Sequence, residues 1–110
     1  GVRRTMRRAE SLDLPALVDF TGTTSIGLAA DVALAAALPQ LPFACGPVPG
    51  WLAEADVVSE ARSLMPRDAH LPAAPMPAAP DPARAQRFAV TDAETVEHWR
   101  GLLRRAAAML

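Results

Sequence analysis

From Ile26 to Leu38 the chain runs through 13 residues, nearly all of them apolar, with Asp31 as the exception. So long a run exceeds a typical strand, and its alanines favour a helix. Thr24 or Ser25 is placed to cap the first turn and Pro39 to stop it. A helix apolar almost all round is buried on most sides. Ala16-Leu17-Val18-Asp19-Phe20, between Pro15 and a glycine-containing loop, reads as a short buried strand. Leu41 to Cys45, ended by Gly46-Pro47-Val48-Pro49-Gly50, reads as a second. Ahead of both, Val2, Met6, Ala9 and Leu12 share one stripe of a helix over residues 2–13, which Leu14-Pro15 ends. The order helix, strand, helix, strand predicts an α/β unit over residues 1–50, with parallel strands and crossover helices.

Residues 51–110 have a different character. Trp51 to Val58 suits a short helix or turn. Prolines 66, 72, 75, 77, 80 and 82 then impose an extended, surface-running segment, with Met65, Leu71 and Met76 lying against something. Asp81-Pro82 can open a helical turn, with Asp as cap and Pro in the first position. Thr91-x-x-Glu94 reads as a capping box. Behind it Val96, Trp99, Leu103, Ala106 and Leu110 form the stripe of a final amphipathic helix, which suits packing within the chain or a dimer seam.

Composition excludes several kinds of chemistry. All 11 basic residues are Arg, so no Schiff base, lysine general base or P-loop lysine can come from this chain. A single Cys rules out an internal disulfide and a multi-cysteine zinc site, and fits a reducing, cytoplasmic location. Net charge is -1, which speaks against nucleic acid despite Arg3, Arg4, Arg7 and Arg8. No run of 18 or more apolar residues exists, so no membrane span is expected. The chain opens directly in a helical pattern without Met or a signal peptide's apolar core, as a piece of something longer would.

The candidate site is the loop Asp19-Phe20-Thr21-Gly22-Thr23-Thr24-Ser25, between a strand end and a helix N-terminus. That edge hosts sites in parallel α/β folds, and free N–H groups there favour an anion. A helix cap with spare hydroxyls accounts for the same residues, and Asp19 reads equally as a polar residue at an exposed strand end. Cys45 suits a small core residue better than a nucleophile, since neither His lies near it in sequence. His70 and His98 suit the surface. No metal-ligand spacing and no phosphate motif is present.

Longer patterns point further. Pro15-Ala16-Leu17-Val18 takes the place of a strand and Thr24-Ser25-Ile26-Gly27-Leu28-Ala29-Ala30 of a helix start. Ala37-Leu38-Pro39-Gln40-Leu41-Pro42-Phe43-Ala44-Cys45-Gly46 follows, with Pro80-Asp81-Pro82-Ala83-Arg84 and His98-Trp99-Arg100 downstream. In these runs the chain resembles the C-terminal part of the o-succinylbenzoate synthases, menaquinone-pathway lyases of the enolase superfamily. The resemblance implies a capping domain plus a modified (β/α) barrel in the parent. Residues 1–50 would supply its sixth helix, seventh strand, seventh helix and eighth strand, a partial (β/α) barrel unit. The Pro-rich extended tail and C-terminal amphipathic helix would follow over 51–110. It implies Mg²⁺-dependent dehydration in the parent, with the metal-binding carboxylates and the catalytic lysine outside this chain. This chain would then carry no catalytic or metal-binding residue and no cofactor of its own. Asp19, Thr21, Gly22, Thr23 and Thr24 would border the pocket for a small-molecule carboxylic acid. Thr24, Gly27, Cys45 and Gly46 keep the family's chemistry, whereas Asp19-Phe20 replaces its Ser-Ser, Gly22 a Leu and Thr23 an acidic residue.

The alternative from another class is a noncatalytic α/β interaction module that self-associates or binds a protein partner. Two strands leave unpaired edges, so self-association or loose packing is expected unless the remainder of the barrel covers them. The final helix, with Trp99 and Leu103, is expected to fold back onto an apolar surface.

Overall fold

Helix α1 (Val2–Ser11) exposes all four of its arginines and buries none of its residues. It ends in a Schellman turn, in which Leu14 N–H donates to Ala9 O at 2.9 Å and Asp13 N–H to Glu10 O at 3.1 Å. Asp13 takes the left-handed conformation that this turn requires, with φ 53°. Helix α2 (Ser25–Ala36) realises the long apolar run. It buries one face only: Ser25, Leu28, Ala29, Val32 and Ala35 point inward, while Ala30, Ala33 and Ala36 stand exposed. The expectation of cover on most sides is thus corrected. Alanine is apolar enough to look buried in sequence and small enough to be left in water at little cost.

The computed structural model describes residues 2–48, 50 and 52–109, with the backbone alone at Ala53. Pro49 in the loop ending the second expected strand, Trp51 at the start of the expected short helix and Leu110 in the final stripe lie outside the described residues.

The expected α/β barrel unit is not formed. Among the described residues there is no strand, and the one β-bridge joins Arg67 to His70 across a tight turn. Residues 14–20 and 41–48, where the sequence predicts two strands, form neither strand nor helix, and a single backbone bond, Gly46 N–H to Val18 O at 3.3 Å, is recorded between them. Pro42 and Pro47 remove donors from the second run, and two runs without further neighbours do not sustain a ladder. Within the first run Val18 and Phe20 are buried, whereas Leu17 and Asp19 face outward.

A thin core results. Val18 and Phe20 pack with Leu28, Val32, Ala35 and Leu52, and Leu38, Val48 and Leu64 lie against this cluster. Leu52 sits on α3 (Leu52–Ala55), which is followed by a 3₁₀ turn at Glu60–Arg62. The Pro-rich segment touches the core through Leu71 and bonds Asp81 N–H to Val57 O at 2.8 Å, but Met65 and Met76 are exposed.

Helix α4 (Pro82–Arg87) starts as read, with Asp81 accepting from Arg84 N–H and Pro82 in the first turn. Helix α5 (Ala93–Ala107) is capped by Asp92, which accepts from Thr95 N–H, in place of Thr91. Its stripe does not fold back: Trp99 is 59% exposed and Leu103 69%. The radius of gyration is 16.0 Å, above the roughly 13 Å of a compact domain of this length. Among the described residues no helix is long and apolar enough to cross a membrane.

Leu28, with no exposed surface, and Trp99 therefore contribute unequally. Leu28→Ala should cost about 2–5 kcal/mol. Trp99→Ala should stay within about 0.5 kcal/mol. Urea unfolding followed by circular dichroism checks this, and a larger loss for Trp99→Ala would mean that α5 is packed against the core.

Candidate functional site

The alternation of Val18 and Phe20 inward turns Asp19 outward, and the chain then bends sharply into α2. The Asp19 carboxylate makes that bend. Its Oδ1 accepts from Thr21 N–H at 2.9 Å and its Oδ2 from Thr21 Oγ1 at 2.8 Å. The Thr21 amide first, and then its hydroxyl, hold the Asp19 carboxyl below its ordinary value of 3.8. Gly22 has φ +73°, where a side chain would be strained. Thr23 Oγ1 donates to Thr24 O at 3.3 Å and lies over Gly27, where an added Cβ would fall 1.8 Å from it. Gly27 is thus the seat on which the rim rests against the helix.

Asp19, Thr21, Gly22, Thr23 and Thr24 accordingly follow one another around a single turn at the start of α2. The first three are exposed and the last two half-buried. Thr24 holds the N-cap position without a side-chain cap bond.

The anion at this helix end comes from the chain itself. Asp56, only 1% exposed, accepts from Ser25 N–H at 3.2 Å and from Val57 N–H at 2.8 Å through Oδ1. Its Oδ2 accepts from the Ser25 hydroxyl and from Ser63 Oγ at 2.7 Å. Ser25 Oγ in turn accepts from Leu64 N–H at 2.7 Å. Burial raises the Asp56 pKa most strongly, yet the hydroxyls of Ser25 and Ser63 and the amides of Ser25 and Val57 together bring it below 3.8. Sequence reading passed over this network because 31 residues separate Ser25 from Asp56. The available signal was an aspartate set between Ala55 and Val57-Val58.

Other candidates stand apart. Cys45 is half-buried against the core, and His70 and His98 are exposed. An open cleft of ≈ 630 Å³ between α1 and the end of α2 is lined by Met6, Leu14, Leu38 and Pro42 among others, and no rim residue lines it. The donors present do not fit Mg²⁺, which asks for near-octahedral oxygen ligands. Asp19 is the one carboxylate on the rim and both of its oxygens are engaged by Thr21, while no group of three His, Cys, Asp or Glu gathers among the described residues.

Relatives sharpen the picture. The chain is 53% identical over 60 residues to the o-succinylbenzoate synthase of Thermobifida fusca, covering 54% of this chain and 19% of the relative. It is 38% identical over 86 residues to that of Mycobacterium leprae, covering 78% and 24%. With the enzyme of Mycolicibacterium smegmatis the identity is 38% over 92 residues, covering 84% and 27%. The chain is related to the o-succinylbenzoate synthases. It spans 19–27% of the length of these relatives. No family model matches the chain, and no solved structure does at a significant level.

Two consequences can be measured. Gly27→Ala should displace Thr23 and shift the amide resonances of residues 21–24, since 1.8 Å is no distance for a Cβ contact; an unchanged spectrum would mean that Thr23 does not sit on Gly27. Asp56 carries a lowered pKa when folded, so its stabilisation is present above the ordinary 3.8 and is lost as pH falls through the folded value. Asp19 and Asp92 act with the same sign, so the difference between wild type and Asp56→Asn isolates Asp56. That difference in unfolding free energy should shrink below pH 3.8, and a difference constant with pH would assign the acid response to other groups.

Proposed function

We propose that the chain is the C-terminal segment of an o-succinylbenzoate synthase-like lyase, a cytoplasmic enzyme of menaquinone biosynthesis. The observation that carries this reading is the similarity to such enzymes, which extends over as much as 84% of the chain. In this reading residues 19–24 form part of the wall of a pocket for a small-molecule carboxylic acid. The hydroxyls of Thr21, Thr23 and Thr24 are the groups able to donate to a carboxylate, while Asp19 repels one and so restricts where an anionic group can sit. The chain supplies neither the metal-binding carboxylates nor the lysine that such a dehydration uses. Those groups, and the Mg²⁺ they hold, belong to the rest of the parent protein.

A second reading, a noncatalytic module that binds a partner or another copy of itself, is favoured by the exposed Trp99, Leu103 and Met109 of the C-terminal region. Analytical ultracentrifugation combined with thermal unfolding separates the two readings. A compact monomer with one sharp, concentration-independent transition favours the module, whereas self-association or loose packing of the isolated chain favours the segment.

Activity is the direct test. The purified chain with Mg²⁺ should form no o-succinylbenzoate and should bind Mg²⁺ no better than a generic acidic surface. The complete reading frame that encodes the chain should contain spaced Asp, Glu and Lys residues upstream, and its product should carry the activity. Turnover by the chain alone that survives stringent purification would overturn the proposal, as would a complete product without activity.

A further inference from the structure

We infer that Asp56 is the positioning residue of the Asp19–Thr24 rim, holding the first turn of α2 from outside the helix. The inference rests on the reading of that rim as a binding wall. A helix start leaves several N–H groups without intrahelical partners, and a cap normally comes from the residue just ahead of the helix. Here Thr24 occupies that place and makes no side-chain cap bond. Asp56, brought from 31 residues away, takes the Ser25 amide and hydroxyl instead. A carboxylate at the positive end of a helix dipole is favoured there as well.

The geometry makes Asp56 a junction of three segments. Ser25 belongs to α2, Ser63 follows the 3₁₀ turn, and Leu64 N–H closes the circuit by donating to Ser25 Oγ. Thr23 and Thr24 precede Ser25 directly, and Thr23 rests on Gly27 one turn inside the helix. Where Ser25 is held, the rim is held. The charged groups facing the junction are few. From α4, Arg84 Nη1 donates to the Asp56 carbonyl at 3.5 Å, and Asp81 is occupied with Arg84 N–H. Glu60 and Arg62 of the 3₁₀ turn are exposed, and α2 brings no acidic residue in its first turn.

The test is amide hydrogen exchange by NMR on the full chain, with wild type, Asp56→Ala and Asp56→Asn. Asn keeps an oxygen for the Ser25 and Val57 amides, and its NH₂ can donate to the serine hydroxyls, so it serves as the conservative rescue. With Asp56→Ala, protection at Ser25 and Leu64 should fall about tenfold or more, while Val32 and Ala35 keep theirs and the resonances of Thr21–Thr24 shift. With Asp56→Asn, protection near neutral pH should lie between wild type and Asp56→Ala, and the decline expected of wild type below pH 3.8 should be absent. Loss of protection along all of α2 in Asp56→Ala, unmoved rim resonances, or the same acid profile in Asp56→Asn would each overturn the inference. If Asp56→Ala does not fold, the acid profile of Asp56→Asn decides alone. None of these readouts involves a substrate, so failure of the pocket reading leaves the positioning claim standing, and the reverse also holds.

Discussion

An ionised carboxylate out of contact with water is tolerated only where donors replace the lost hydration. Asp56 meets that condition with two amides and two hydroxyls, drawn from α2, from its own neighbour Val57 and from Ser63. The arrangement leaves no buried side-chain polar atom without a partner among the described residues. It also fixes how the second half of the chain lies on the first. Leu52, four residues before Asp56, enters the core, and Leu64, just after Ser63, packs against it. The junction and the apolar cluster are therefore joined through Leu52 and Leu64, and the carboxylate holds in place the segment that completes the cluster.

The fold built on that junction is thin. Its smallest extent is 20 Å against 44 Å for its largest. Leu14, Leu17 and Phe43 are each more than half exposed, as are Trp99 and Leu103. Covering one such side chain fully is worth roughly 1.5–3 kcal/mol, so a neighbour that buried several would add a sizeable part of the roughly 5–15 kcal/mol margin of a typical domain. The two runs over residues 14–20 and 41–48 illustrate the same economy. They touch through one backbone bond yet form no ladder, because Pro42 and Pro47 remove donors from the second and no further strand flanks either among the described residues.

What the sequence disclosed and what it hid follow from range. Local signals read correctly: the helix started by Asp81-Pro82 and the length of α2 to within a few residues. The cap of α5 was off by one because Thr91 and Asp92 are both good caps, and Asp92 captured the amide of Thr95. Signals that depend on distant neighbours misled. The short run from Ala16 to Phe20, set between Pro15 and a glycine-containing loop, suggested a strand, but pairing needs donors that Pro42 and Pro47 lack. The Trp99 and Leu103 stripe suggested a buried face, yet the described core offers no surface to it. The rim at Asp19 to Thr24 was legible as a loop before a helix, whereas its anchor, Asp56, lay in a different part of the chain.

The central claim is that a buried, ionised Asp56 organises this fold. It is tested most directly by the pH titration of its side-chain carboxyl ¹³C resonance in the full chain. The account predicts a midpoint below 3.8, the ordinary aspartate value. A midpoint above that value would mean that burial outweighs the four hydrogen bonds, and that Asp56 is not the charged anchor described.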